Sequence, residues 1–125
     1  MKLQKVMIVD DDEDILLVAA LSASRIGNWQ VVTAGTGMEA LALAQRERPD
    51  LILLDAMMPV LDGPATIARL REDPATAAIP VIFLTARVQP QEIQSYLEIG
   101  ALGVIRKPFD AMALPLEVER ILRDA

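Results

Sequence analysis

Short unbroken apolar runs recur along the chain: Val6-Met7-Ile8-Val9, Val31-Val32, Leu51-Ile52-Leu53-Leu54, Val81-Ile82-Phe83-Leu84 and Val104-Ile105. Runs of this kind, as opposed to alternating ones, suit strands covered on both faces in a parallel sheet. Between them the apolar positions fall at helical spacing. Ile15, Leu16, Val18, Ala19, Leu21 and Ile26 predict a first helix. Met38, Leu41, Ala42 and Gln45 predict a second, entered at Thr36 with Glu39 three residues on, a capping-box signature. Gly63-Pro64 opens a third, with Pro64 at a first helical position and Ile67 and Leu70 following. Ile93, Tyr96 and Leu97 mark a fourth, stopped by Gly100, and Leu114, Val118, Ile121 and Leu122 a fifth. Five β-then-α units in succession predict an α/β fold: a single five-stranded parallel sheet, doubly wound as (βα)5, with helices on both faces and right-handed crossovers.

Composition narrows the chemistry. The 125 residues, 53% of them hydrophobic, are expected to form one domain, 1–125, with a core built from aliphatic side chains, since only four residues are aromatic. The longest charge-free runs, Ile26 to Met38 and Pro74 to Ala86, are 13 residues each, too short and too polar for a membrane span. Acidic Asp10 to Asp14 interrupts the first apolar stretch too early for a signal peptide, so a cytoplasmic location is expected. The chain contains no Cys and no His, which removes disulfides, thiolate and imidazole metal sites, and the Ser-His and Cys-His nucleophiles. A net charge of −6 argues against direct nucleic-acid binding.

What remains is carboxylate, hydroxyl, ammonium and backbone. In open parallel sheets, sites form beyond the carboxyl ends of the strands. The first strand runs into Asp10-Asp11, the third ends in Asp55, the fourth in Thr85, and the fifth runs into Arg106-Lys107. Clustered carboxylates repel, so they take up protons or hold a cation, and with only hard oxygen ligands present that cation is Mg2+. Lys107 and Thr85 opposite would bind phosphoryl oxygens, and a carboxylate can itself be the nucleophile. The set reads as phosphoryl transfer. A plainer reading stands beside it: Asp12, Glu13 and Asp14 could simply cap the next helix and complement its dipole, and Asp55 could be a turn residue.

The stretches Val9-Asp10-Asp11, Asp55-Ala56-Met57-Met58-Pro59-Val60-Leu61-Asp62-Gly63, Leu84-Thr85-Ala86 and Lys107-Pro108-Phe109 resemble, in order and spacing, the receiver domain of two-component response regulators, of the chemotaxis-regulator-like, flavodoxin-like kind. The resemblance covers essentially the whole chain and implies a role for each residue. Asp55 is implied as phosphoacceptor, taking a phosphoryl group from the phosphohistidine of a histidine kinase or a histidine phosphotransfer protein. Asp11, Asp55 and the Met57 carbonyl would ligate Mg2+, with Asp10 acting through a water. Thr85 and Lys107 would bind phosphoryl oxygens, with Ala86 beside them at the switch. Pro59 and Gly63 would shape the loop after the acceptor, and Pro108 would follow a cis Lys-Pro bond. A downstream effector protein or domain, and homodimerisation on phosphorylation, belong to the same expectation, with no enzymatic turnover beyond self-phosphorylation and slow self-dephosphorylation. Partner specificity is expected in the first helix and the loop after the fifth strand.

The chain departs from the family at Val104, three residues before the lysine, where the family usually carries an aromatic that swings inward as the threonine moves. Bulky Met57 and Arg87, each two residues past a site residue, are expected to hinder the hydrolytic water and lengthen the phosphoryl-aspartate lifetime. Two competing functions are weighed. A phosphorylation-independent receiver-like binding module is kept open by Val104. A haloacid-dehalogenase-like phosphatase would use Asp10-Asp11-Asp12 as its Asp-x-Asp pattern, but Glu13-Asp14 follows where Gly-Thr is expected and the chain has no length for a cap.

Overall fold

In the computed structural model, which describes residues 2–125, the apolar runs become β1 (Lys5–Val9), β2 (Gln30–Ala34), β3 (Leu51–Asp55), β4 (Val81–Thr85) and β5 (Gly103–Arg106). They form one five-stranded sheet in the order β2-β1-β3-β4-β5, with every neighbouring pair parallel. The helices α1 (Glu13–Leu21), α2 (Gly37–Glu47), α3 (Gly63–Glu72), α4 (Pro90–Glu98) and α5 (Leu114–Asp124) alternate with them. After β1 the chain moves outward to β2, then crosses back to β3, so the strand order reverses at the carboxyl ends of β1 and β3.

The sheet separates two apolar layers. On one face Val6, Ile8, Leu51, Leu53, Ile82, Leu84 and Ile105 pack against Ala19 of α1 and Leu114 and Val118 of α5. On the other, Met7, Val9, Ile52, Leu54, Val81 and Phe83 pack against Ala40 and Ala44 of α2, Ile67 and Leu70 of α3, and Tyr96 of α4. Central β3 and β4 are buried at every position, as their unbroken apolar runs predict, while edge strands β2 and β5 are partly exposed. Among the described residues no helix is long and apolar enough to cross a membrane.

Local signals explain most boundaries and correct two. The first helix is not regular to Ile26: after Leu21 it widens into a π-helical turn, Ser22–Ile26, closed by Gly27 N–H on the Ser22 carbonyl at 3.1 Å. Buried Ser22 donates its hydroxyl to the carbonyl of Ala111 at 2.5 Å, tying this turn to the segment after β5. At α2 the Thr36 hydroxyl caps Glu39 N–H at 3.0 Å, but the Glu39 carboxylate accepts from Gly35 N–H at 3.3 Å and not from Thr36, so the reciprocal box is displaced by one residue. Asp62 caps α3 through Ala65 N–H, with Pro64 in the first turn, and α4 ends where Gly100 adopts φ +112°.

Gly63 is dictated by packing. A Cβ there would lie 2.7 Å from both the Cα of Ala56 and the carbonyl oxygen of Asp55, so only glycine lets α3 begin this close to the end of β3. Gly63→Ala is therefore expected to destabilise the domain by about 2 kcal/mol. Gly35→Ala, where a Cβ would meet nothing within 4 Å, should stay within about 0.5 kcal/mol of the wild type. Urea-unfolding midpoints of the two variants check the contrast.

Candidate functional site

The acidic run after β1 divides into two parts with different duties. Asp12 turns its carboxylate onto its own helix, accepting from Asp14 N–H at 2.9 Å and Ile15 N–H at 3.3 Å, while Glu13 and Asp14 occupy the first turn of α1. The capping reading thus holds for these three. Asp10 and Asp11 belong to the strand end.

Asp10, Asp55 and Thr85 are 1%, 4% and 1% exposed, three polar groups at the rim of an apolar sheet. Each is steadied in the same manner, accepting a hydrogen bond from the backbone N–H two residues on: Asp12 to Asp10 Oδ1 at 2.9 Å, Met57 to Asp55 Oδ1 at 3.0 Å, and Arg87 to Thr85 Oγ1 at 3.0 Å. With its oxygen so engaged, the Thr85 hydroxyl proton is left to donate elsewhere. Lys107 reaches in from beyond β5, its Nζ 2.6 Å from Asp10 Oδ2 and 3.3 Å from Asp55 Oδ1. The Lys107–Pro108 peptide bond is cis, as expected. Half-buried Lys107 loses hydration, but the Asp10 and Asp55 carboxylates outweigh that loss and raise its pKa, keeping it charged.

One carboxylate oxygen from each of Asp10, Asp11 and Asp55 lies within 4.8 Å of the others. Three negative charges against one lysine leave a local excess of −2, the charge of one divalent cation. Burial pushes the Asp55 carboxyl up to about 6; the Asp10 and Asp11 carboxylates push the same way, while Met57 N–H and Lys107 pull it down. Hard oxygen donors around an uncompensated charge fit Mg2+ well.

The cleft above these groups, about 280 Å³, is lined by Asp10, Asp11, Asp12, Asp55, Met57, Thr85, Ala86 and Lys107, together with Ile15, which the sequence pattern assigned only to a helix. Pro59 lies within the loop from Asp55 to α3 and Gly63 ends it; in this loop fully exposed Val60 takes φ +68°, a costly backbone for a β-branched residue. Arg87 does not line the cleft. Its guanidinium is turned toward Glu92 of α4, 3.9 Å away, so of the two bulky residues only Met57 reaches the site. Val104 is half buried against the α2–α4 layer and carries no ring.

Asp55 and Thr85, both still within their strands, lie on opposite faces of the sheet. Asp55 continues the alternation of Leu51 and Leu53 toward α1 and α5; Thr85 continues that of Val81 and Phe83 toward α2–α4. Beside the site on the α1 side, an apolar groove of about 360 Å³ is lined by Ile15, Val18, Ala86, Pro108 and Phe109. Val18, exposed on α1 although apolar, is the part of this groove the sequence could have signalled.

This fold and rim define a phosphoacceptor-type signalling domain, and comparison with known proteins agrees. The model of the response regulator receiver domain matches residues 6–119, and the chain belongs to that family. It is 38% identical over 120 residues to the alkaline phosphatase synthesis transcriptional regulatory protein PhoP of Bacillus subtilis, covering 96% of this chain and 49% of that protein. It is likewise 38% identical over 119 residues to the DNA-binding dual master transcriptional regulator RpaA of Synechocystis, covering 95% and 49%. The chain spans about half the length of the curated relatives it matches. Among solved structures, the chemotaxis protein CheY4 of Vibrio cholerae superposes with a TM-score of 0.88 at 32% identity, covering 96% of this chain and 99% of that one. A response regulator from Desulfuromonas acetoxidans gives 0.84 at 30% identity, covering 96% and 97%. The chain is a receiver domain of the two-component response regulator class, a family of signalling modules that are generally not enzymes, that generally use Mg2+ at the acidic site, and that work with histidine kinases and downstream effectors.

The raised Asp55 carboxyl has a stability consequence in metal-free protein. Because its folded-state pKa, about 6, lies above the ordinary 3.8, the folded state holds this proton more tightly than the unfolded chain. The group's contribution is fully present below about pH 4 and is lost as pH rises through about 6. Asp55→Asn should therefore be more stable than wild type at pH 7.5 without metal, by on the order of 2 kcal/mol, with the difference gone by pH 4. Urea titrations at both pH values check this; adding Mg2+ at pH 7.5 should stabilise the wild type and leave the variant unchanged.

Proposed function

We propose that Asp55 is the phosphoacceptor of this domain and that the rim residues around it carry out the transfer. The observation that carries the reading is the placement of a nearly buried carboxylate at the end of β3, 3.3 Å from Lys107 and within 4.8 Å of two further carboxylates. Both protein donors to Asp55 fall on Oδ1, which leaves Oδ2 to attack. In the transfer a bond forms between Oδ2 and phosphorus, the phosphorus–nitrogen bond of a phosphohistidine breaks, and the imidazole nitrogen takes up a proton. Asp11, Asp55 and the Met57 carbonyl would hold Mg2+ directly and Asp10 through a water, since both Asp10 oxygens already face Asp12 N–H and Lys107. Bound there, the ion would offset charge on the phosphoryl oxygens. Lys107 would pair with one phosphoryl oxygen, the Thr85 hydroxyl would donate to another, and the Ala86 backbone lies alongside at the rim. Pro59, Gly63 and Pro108 shape the two loops that frame this space.

On this reading residues 1–125 act as one cytoplasmic switch, with no direct nucleic-acid contact of their own. The phosphoryl donor, a histidine kinase or phosphotransfer protein, docks on α1 and the segment after Lys107, where the apolar groove adjoins the cleft. Phosphorylation then changes contacts with an effector or with a second copy of the chain. The domain promotes only its own phosphorylation and slow dephosphorylation.

Incubation with acetyl phosphate and Mg2+ should raise the intact mass by one phosphate. The gain should vanish with EDTA and in Asp55→Asn; folded wild-type protein that gains nothing would make this a binding module with an idle site. Met57 overhangs the cleft and Arg87 does not. Met57→Ala is therefore expected to shorten the phosphoryl-aspartate lifetime several-fold and Arg87→Ala to leave it near wild type, as followed by loss of the added mass.

A further inference from the structure

Helix α4 buries little of itself against the sheet. Tyr96 is its sole buried residue, and most of its remaining positions face solvent. The Tyr96 ring packs on Phe83 with centroids 5.0 Å apart and planes tilted by 57°. Phe83 is completely buried in β4, two residues before Thr85 and on the same face of the sheet. Its opposite edge meets the start of α3: a Cβ on Gly63 would lie 2.8 Å from Phe83 Cε1. Gly63 N–H in turn donates to the Ala56 carbonyl at 3.0 Å, closing the loop that leaves Asp55. The Phe83 ring is therefore wedged between the acceptor loop and the one buried side chain of α4. Its register partner on β5 is Val104, whose two methyl groups present no ring.

We propose that the Phe83–Tyr96 pair is the link through which the state of the Asp55 site reaches α4, with Tyr96 as the positioning residue. The coupling rests on the phosphoacceptor reading above. Filling the cleft draws on Thr85 and the loop from Ala56 to Asp62, the two segments that bound Phe83 along its strand and at its edge. A close-packed ring cannot yield to either without moving its neighbour. That neighbour carries a helix with little else to hold it, so α4 moves at small cost. Coupling of this kind is reciprocal: a change in how Tyr96 seats must alter how tightly the site holds a phosphoryl group.

The test uses the whole chain with beryllofluoride and Mg2+ as the phosphoryl mimic, and two readouts. Amide exchange over residues 90–98 should differ between the free and mimic-bound wild type. In Tyr96→Leu the difference should disappear, and the apparent affinity for beryllofluoride should shift about five-fold or more, although Tyr96 does not line the cleft. Tyr96→Phe, which keeps the ring, should restore both, and Val104→Ala should leave both as in wild type. Phe83→Leu is read in the same way where Tyr96→Leu fails to fold. A Tyr96→Leu domain that keeps the full exchange difference and wild-type affinity overturns the proposal, as does a Val104→Ala domain that loses them. Wild-type protein that is phosphorylated on Asp55 yet shows no change in α4 sinks the coupling alone. Wild-type protein that takes up no phosphate sinks the phosphoacceptor reading, and the coupling with it.

Discussion

A carboxylate at the end of a strand covered on both faces is expensive to keep ionised, and Asp55 is such a group. Its surroundings raise the cost before they lower it: Asp10 and Asp11 bring like charge from β1, and only Met57 N–H and Lys107 oppose them. The arrangement persists because the three segments that supply these groups are fixed by something other than the site. β1, β3 and β5 are held by backbone pairing and by two aliphatic layers, in which each buried Leu, Ile or Phe is worth about 1.5–3 kcal/mol. The core thus holds together a cluster that would otherwise separate, and leaves it short of positive charge. A site left in that condition attracts a cation and a group that brings its own anionic oxygens under it.

Much of this was legible in the residues. The cores of β1, β3 and β4 read directly because strands buried on both faces must be apolar throughout. Edge strands β2 and β5 were visible only as pairs of apolar residues, since each is partly exposed and carries residues such as Gln30, Thr33 and Arg106. Asp10, Asp55 and Thr85 stood out as candidates because each follows an apolar run directly, where a polar side chain has no packing reason to be; Asp11 and Lys107 lie one residue further on. The division of labour within Asp10 to Asp14 could not be read: five acids in succession look alike until the strand ends and the helix begins. That boundary decides which carboxylates gather with Asp55 and which cap the helix.

Two features lay beyond the reach of pattern. The π-helical turn at Ser22–Ile26 leaves no mark on the apolar spacing; it is closed at Gly27, where a Cβ would meet the Ala23 carbonyl and the Trp29 ring within 3.0 Å. The orientation of Arg87 was equally hidden. Spacing places it near the threonine, but its guanidinium pairs with Glu92, in the first turn of α4, and stays out of the cleft.

The sheet that builds the site also divides it. Asp55 lies on the side of α1 and α5, and Thr85 on the side of α2–α4, with the aliphatic core filling each layer separately. Surface residues that suit a donor to one layer can therefore drift without disturbing the packing of the other, because five strands stand between them. Under the proposed function, descendants of a duplicated copy of this chain are free to exchange what they listen to while keeping what they answer with, or the reverse, and Asp55 need not change in either case.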